Sequence, residues 1–258
     1  MKRYVFVAIM ATIFLYACNR KDEKREQPVP ITYHTKNFAL YSSNCQGDSL
    51  QCASFEVRYP EFMHIDTAIS LVIRFKIDSA VSAGFSEGVI QTLEQTGKIF
   101  IEEYENFIRA DSEAIGMGGW YHTSDVNVDV AGDSLISLSV SSDDYSGGAH
   151  PNAAITFINL NPRTGKTVTL ADFLKPGYQL ELTKLGEQIF RKERELADTA
   201  SFKNNFFDFP DDKFALNKNY GFTSEGIRFY YNSYEVAPYA AGPTDVLIPY
   251  TEIKDWLK

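Results

Sequence analysis

Between residues 120 and 140 the chain alternates apolar and polar side chains, turns, and alternates again. Val126, Val128 and Val130 fall on one face of the first run, with Asp125, Asn127 and Asp129 on the other. Ile136, Leu138 and Val140 alternate with serines in the second run. A period of two is the pattern of a half-buried strand, and Ala131-Gly132-Asp133-Ser134 reads as a two-residue hairpin turn. Without a bulge, that turn sets Ala131 opposite Ser134 and His122 opposite Asp143. The second run leads into Ser141-Ser142-Asp143-Asp144-Tyr145-Ser146-Gly147-Gly148-Ala149-His150-Pro151. Gly147 and Gly148 allow backbone angles closed to other residues, and Pro151 fixes the exit direction.

Two readings of this loop stand side by side. It is a structural turn whose His caps a backbone group, or it is a ligand-contact patch held by strands at both ends. In the second reading Asp143, Asp144, Tyr145, Gly147, Gly148 and His150 contribute, and the hairpin register brings His122 beside them.

The rest of the chain supplies more strands and two helices. Residues 55–60 alternate as a strand, while 71–77 suits either a strand or a helix. Ile90, Leu93, Gly97, Phe100, Tyr104 and Phe107 recur at helical spacing over 86–109, with Ser86 as a plausible start. Residues 153–160 form a third strand, and 167–170 a fourth that pairs with it. A second helix runs from Gly177-Tyr178 to about Ala197, followed by an ordered aromatic loop to Pro210. Residues 220–223 and 227–231 flank Ser224-Glu225-Gly226 as a second hairpin; 246–248 is a last strand and 250–257 a terminal helix. The class is α+β: antiparallel sheets each packed by a helix, in two closely associated subdomains.

At the N-terminus Lys2 and Arg3 precede an apolar run from Tyr4 to Leu15, too short to span a bilayer comfortably but suited to a secretory signal. Ala17-Cys18 places a small residue before a cysteine, as in a bacterial lipobox, so Cys18 is the expected lipidation site. The charged segment that follows has little apolar surface to bury and reads as a disordered tether. These features place the protein in the cell envelope, lipid-anchored to a bacterial membrane, with the outer membrane favoured.

The formal net charge of −9 and the lack of a basic cluster argue against nucleic acid and permit a basic partner. With Cys18 assigned to lipid, Cys45 and Cys52 remain, and an exported chain favours a disulfide between them. Catalytic signatures are missing. His34, His64, His122 and His150 are scattered, and no Gly-x-Ser-x-Gly elbow or His-Glu-x-x-His occurs. Asp143 and Asp144 point to opposite sides of a continuing strand, which disfavours a glycosidase pair. The chain reads as non-enzymatic, with no metal and no cofactor. The aromatic set Tyr230, Tyr231, Tyr234 and Tyr239 could stack on sugars or on a partner protein as readily as it packs, and Tyr234 and Tyr239 are further ligand-contact candidates.

Tyr59-Pro60 and the Tyr145-to-Pro151 loop resemble the non-catalytic domain named after the deacetylase PdaC. Thr164-Gly165-Lys166, Leu170-to-Leu174, Glu225-to-Tyr231 and Tyr234-to-Gly242 with Val246-to-Tyr250 resemble the RsiV-type C-terminal domain of unknown function. The resemblance implies residues 1–17 as signal, 18–32 as lipidated tether, 33–151 as the PdaC-type domain and 152–258 as the RsiV-like domain. In the RsiV-type anti-sigma factors the paired extracellular domains bind lysozyme. The expected partner here is therefore a basic protein such as lysozyme or another muramidase. The alternatives are an envelope glycan such as peptidoglycan and, behind that, an undescribed envelope hydrolase. The lipid anchor replaces the transmembrane and sigma-binding segments of that family.

Overall fold

The structure, a computed structural model, describes residues 30–43, 45, 52–85, 91–110 and 118–258. The expected signal, Cys18 and the tether as far as residue 29 lie outside these residues, as do Ser86 and Ile90.

Five strands form the first sheet: β1 (Thr32–Tyr41), β2 (Ser54–Met63), β3 (Tyr121–Ala131), β4 (Ile136–Tyr145) and β5 (Asn152–Leu160), in that spatial order. All neighbours are antiparallel except β2 and β3, which run parallel. A parallel pair needs a long crossover, and helices α1 (Thr67–Ser82) and α2 (Leu93–Ala110) supply it. The stretch that sequence left open at 71–77 is helical. Ile69, Ile73, Ile77 and Val81 of α1 are buried in the core, and Asp66 caps the first turn by accepting from the Ala68 and Ile69 amides.

α2 begins at Leu93, where Thr92 and Gln95 exchange side chain-to-backbone bonds in a capping box. Leu93, Phe100 and Tyr104 of the expected stripe are buried, whereas Phe107 at the end is 38% exposed. Gly97 lets the helix lie close on the sheet; a Cβ there would meet Leu40 and Phe55 at 2.9 Å. The Cys45–Cys52 disulfide forms, with Cα atoms 5.0 Å apart, and closing so short a loop contributes about 2.5 kcal/mol.

The expected hairpin register is corrected. Ala131 pairs with Ile136, so Gly132, Asp133, Ser134 and Leu135 make a longer turn, and a bulge falls between Val128 and Val130. The two departures leave a net slip of one residue: His122 pairs with Asp144, and Asp143 with Thr123. A one-residue slip exchanges the faces of a strand. The first sheet also runs on to Leu160, past the boundary expected at Pro151.

The second lobe has a three-stranded antiparallel sheet, β6 (Tyr220–Phe222), β7 (Gly226–Tyr231) and β8 (Thr244–Pro249). Helix α4 (Tyr178–Glu193) packs on it and ends short of Ala197; α5 (Tyr250–Ile253) follows β8. The fourth strand expected at 167–170 is a single bridge, Leu160 to Thr167, before the short helix α3 (Leu170–Phe173). Asp172 accepts from both the amide and the hydroxyl of Thr169 there, and this local closure favours a helical turn over an extended one. Each lobe has its own apolar core.

The lobes are joined along β5, an edge strand. Asn232 Oδ1 accepts from the Ile155 amide at 2.8 Å and Asn219 Oδ1 from the Phe157 amide at 3.1 Å. Both Asn Nδ2 groups donate back to the Ile155 carbonyl. Side-chain amides thus take the place of a sixth strand and close an edge that would otherwise be open to pairing.

Candidate functional site

The slipped register decides what gathers around the central loop. Tyr121, Thr123, Asp143 and Tyr145 share the sheet face turned away from α1 and α2, while His122, Ser124, Ser142 and Asp144 share the other. His122 is 2% exposed and stacks on Phe55 with ring centres 4.8 Å apart. Its Nε2 bonds the Ser124 hydroxyl at 2.8 Å, and Nδ1 is buried with no hydrogen-bond partner among the described residues. The expected cluster of His122, His150 and Asp143 therefore does not form: His122 lies in the first core, across the sheet from Asp143.

Burial holds the His122 imidazole down at about 4, against an ordinary value of 6.5. Between those limits the unfolded chain binds a proton that the folded chain refuses. The neutral ring's contribution is intact above pH 6.5 and is lost as pH falls toward 4, up to about 3 kcal/mol. Asp78, Asp129 and Asp144, raised chiefly by burial, act in the opposite sense. His122→Gln isolates the histidine. Its denaturation midpoint should fall less than the wild type's between pH 7 and pH 4.5, and equal falls would contradict the assignment.

On the other face the loop does meet the second lobe. Gly147 and Gly148 adopt φ of 92° and 108°, which swings residues 149–151 toward the Tyr-rich segment after β7. The Tyr145 hydroxyl donates to the Gly148 carbonyl at 3.1 Å and holds that bend. His150 stacks on Tyr239 with centroids 3.7 Å apart and planes inclined by 15°. Its Nδ1 lies 2.8 Å from the Pro151 carbonyl, an acceptor, so Nδ1 carries the proton. Nε2 is then free to accept from the Tyr234 hydroxyl at 3.3 Å. The Tyr239 hydroxyl donates to the same Pro151 carbonyl at 3.0 Å. Tyr234 sits at φ 68° with 63% of its surface exposed. Tyr145, Gly147, Gly148, His150, Tyr234 and Tyr239 thus meet as a clasp between the lobes.

Beside the clasp an open groove of about 670 Å³ separates the lobes. Its floor is the outer face of β3, β4 and β5, with Thr123, Asp125, Ser141 and Asp143; its far wall carries Tyr230, Ser233 and Tyr239 to Pro243. Arg58 donates to Asp125 at 2.7 Å. Asp143 takes a hydrogen bond from Tyr121, which pushes that phenol up to about 12. Asp144, on the other face, is approached by Asn152 Nδ2 at 3.5 Å. Among the described residues no group of three or more His, Cys, Asp or Glu is placed to hold a metal ion.

Tyr230, of the expected aromatic set, does line the groove, whereas sequence reasoning passed over Thr123, Asp125 and Ser141. The signal was the alternation itself: these are the polar positions of strands whose apolar positions were read as core. Alternation does not show that residues of the second lobe stand against this outer face.

Residues 47–153 match the family described as Deacetylase PdaC, and residues 171–251 the one described as Protein of unknown function (DUF3298). Two solved structures share the fold. A member of the duf3298 family from Bacteroides fragilis is 19% identical with a TM-score of 0.65, covering 88% of this chain and 94% of that one. A DUF3298 family protein from Pseudomonas aeruginosa PAO1 is 21% identical with a TM-score of 0.60, covering 90% of this chain and 95% of that one. No curated protein matches the chain.

Proposed function

We propose that this chain, a PdaC-like domain joined to a domain of unknown function, is a non-enzymatic binding protein of the cell envelope whose ligand seats in the groove between its lobes. The ligand class is a basic protein, with lysozyme or another muramidase as the first case to test. The observation that carries this reading is the Asp143 carboxylate on the floor of an open groove, held by a neutral phenol rather than by a cation. A net charge of −9 favours approach of a basic surface, and a groove carboxylate fixes where its cation docks. His150 supports binding over proton transfer, since each ring nitrogen faces a partner within the clasp.

The exposed rings of the clasp favour one other reading, stacking of a glycan on Tyr234. Titration of the protein with lysozyme and, separately, with soluble peptidoglycan fragments distinguishes the two. Saturable, salt-sensitive binding of lysozyme supports the basic-protein reading, and binding of the fragments alone replaces it.

Membrane attachment through Cys18 belongs to the same proposal. Cys18→Ser is expected to move the protein from the membrane to the soluble exported fraction; a mutant that stays on the membrane would remove the anchor.

A further inference from the structure

Helix α1 is apolar on nearly every side. Ile69, Ile73, Ile77 and Val81 are buried, yet Leu71 is 67% exposed and Phe75, one turn on, 54%. A helix apolar all round belongs in a core or against lipid, and Leu71 and Phe75 stay exposed among the described residues. Two borders define it. On one side Leu71 shares a shallow groove with Phe62, and Met63, 40% exposed, pairs with Thr32 where residues 1–29 join the fold. On the other side the turn at 161–167 packs against α1 through Gly165 and Val72. Lys76 donates to the Thr167 hydroxyl rather than to a carboxylate, and Lys166 beside it is exposed.

We propose that this face of α1 rests on the bilayer surface, with Leu71 and Phe75 at the headgroup–acyl boundary and Lys76 and Lys166 toward lipid phosphates. Apolar side chains with lysines along one border suit the interface of a bilayer. On a chain of net charge −9 that border runs against the general sign, while the groove on the other border carries Arg74 as well as Glu61. The inference rests on the Cys18 anchor for holding the face within reach. From Cys18 to residue 30 an extended tether spans at most about 40 Å, and it enters the fold beside Met63.

The test places the full chain on vesicles of phosphatidylethanolamine and phosphatidylglycerol with brominated acyl chains and reads tryptophan emission. Phe75→Trp is compared with Leu180→Trp, a control position in the second lobe that is 64% exposed. Both sites are on the surface, so neither substitution disturbs a core. Bromolipid is expected to quench the Phe75→Trp emission by at least about two-fold more than the control, because an interfacial helix sinks its apolar face to the depth of the acyl chains. Flotation of the vesicles reads the anchor separately. Protein that floats with equal quenching at the two sites overturns the membrane face and leaves the anchor standing. Protein that does not float overturns both. A concentration-dependent dimer that Leu71→Glu abolishes would assign the face to a second copy and likewise overturn the inference.

Discussion

Phe190→Ala is expected to cost about 3–5 kcal/mol, the usual range for removing a buried aromatic ring. Phe190 is fully buried on α4, and its ring lies between 5.2 and 5.9 Å from those of Phe202, Phe207, Phe209, Phe214 and Tyr231. Among the described ring pairs it alone in the second lobe has five ring neighbours. It ties the helix to β7 and to the loop at 200–214, which has little regular structure of its own. Such a loss is a large fraction of a domain's total stability of about 5–15 kcal/mol. Because the lobes have separate cores, the effect should be uneven. Trp256, packed on the second core, should report a much earlier denaturant transition, and Trp120, packed on the first, a smaller shift. A change below about 1 kcal/mol at Trp256 would contradict this account, since surface substitutions alone stay within about half of that.

Asn219→Ala is expected to cost about 1–3 kcal/mol, which is large for a polar residue. Its carboxamide accepts from the Phe157 amide and donates to the carbonyls of Ile155 and Tyr230. Removing it strands the partly buried Phe157 amide, at about 1–3 kcal/mol when wholly unmet, while the Ile155 and Tyr230 carbonyls keep bonds from Asn232 and Asn217. The consequence is also directional. Exchange of the Phe157 amide should accelerate, while amides between β1 and β2, at the far side of the sheet, keep their protection. Uniform acceleration across the sheet would mean that Asn219 supports overall stability and not the junction between the lobes.

The parts of this fold that were legible are those where one face of an element meets one core. The β3–β4 pair, the buried stripe of α2 and the β6–β7 hairpin all have clean periodicity; α2 ends close to its expected limit, at Ala110, but begins at Leu93 and not at Ser86. α1 was not legible because it is apolar almost all round, so its period is blurred and its β-branched residues argue for a strand. The 167–170 segment has strand composition, but Thr169 and Asp172 close a local cap that wins over four short residues. The site failed to assemble as expected for one reason. Asp129 occupies a bulge where its carboxylate accepts from Ser139 at 3.2 Å and lies in the field of Arg228 of the second lobe. A bulge at one polar position leaves the alternation of apolar and polar residues on either side intact, so the pattern does not reveal it. Its one-residue slip sends His122 into the core and leaves Asp143 to the groove. His150, Tyr234 and Tyr239 were each recognisable as candidates, but their meeting depends on the packing of two lobes, which periodicity does not encode.

The groove, and not the acidic surface at large, is where a basic partner is expected to bind. Paired charge reversals test this most directly. Asp143→Lys changes the floor of the groove, and Glu103→Lys makes the same change in net charge on the exposed side of α2. Lysozyme affinity is measured by calorimetry at about 0.15 M ionic strength, where charges more than about 8 Å apart are largely screened. Asp143→Lys should weaken binding by at least about ten-fold, because a like charge is set against the docking cation, with Glu103→Lys close to wild type. Equal weakening by the two substitutions, or none at Asp143→Lys, would contradict the groove as the binding site.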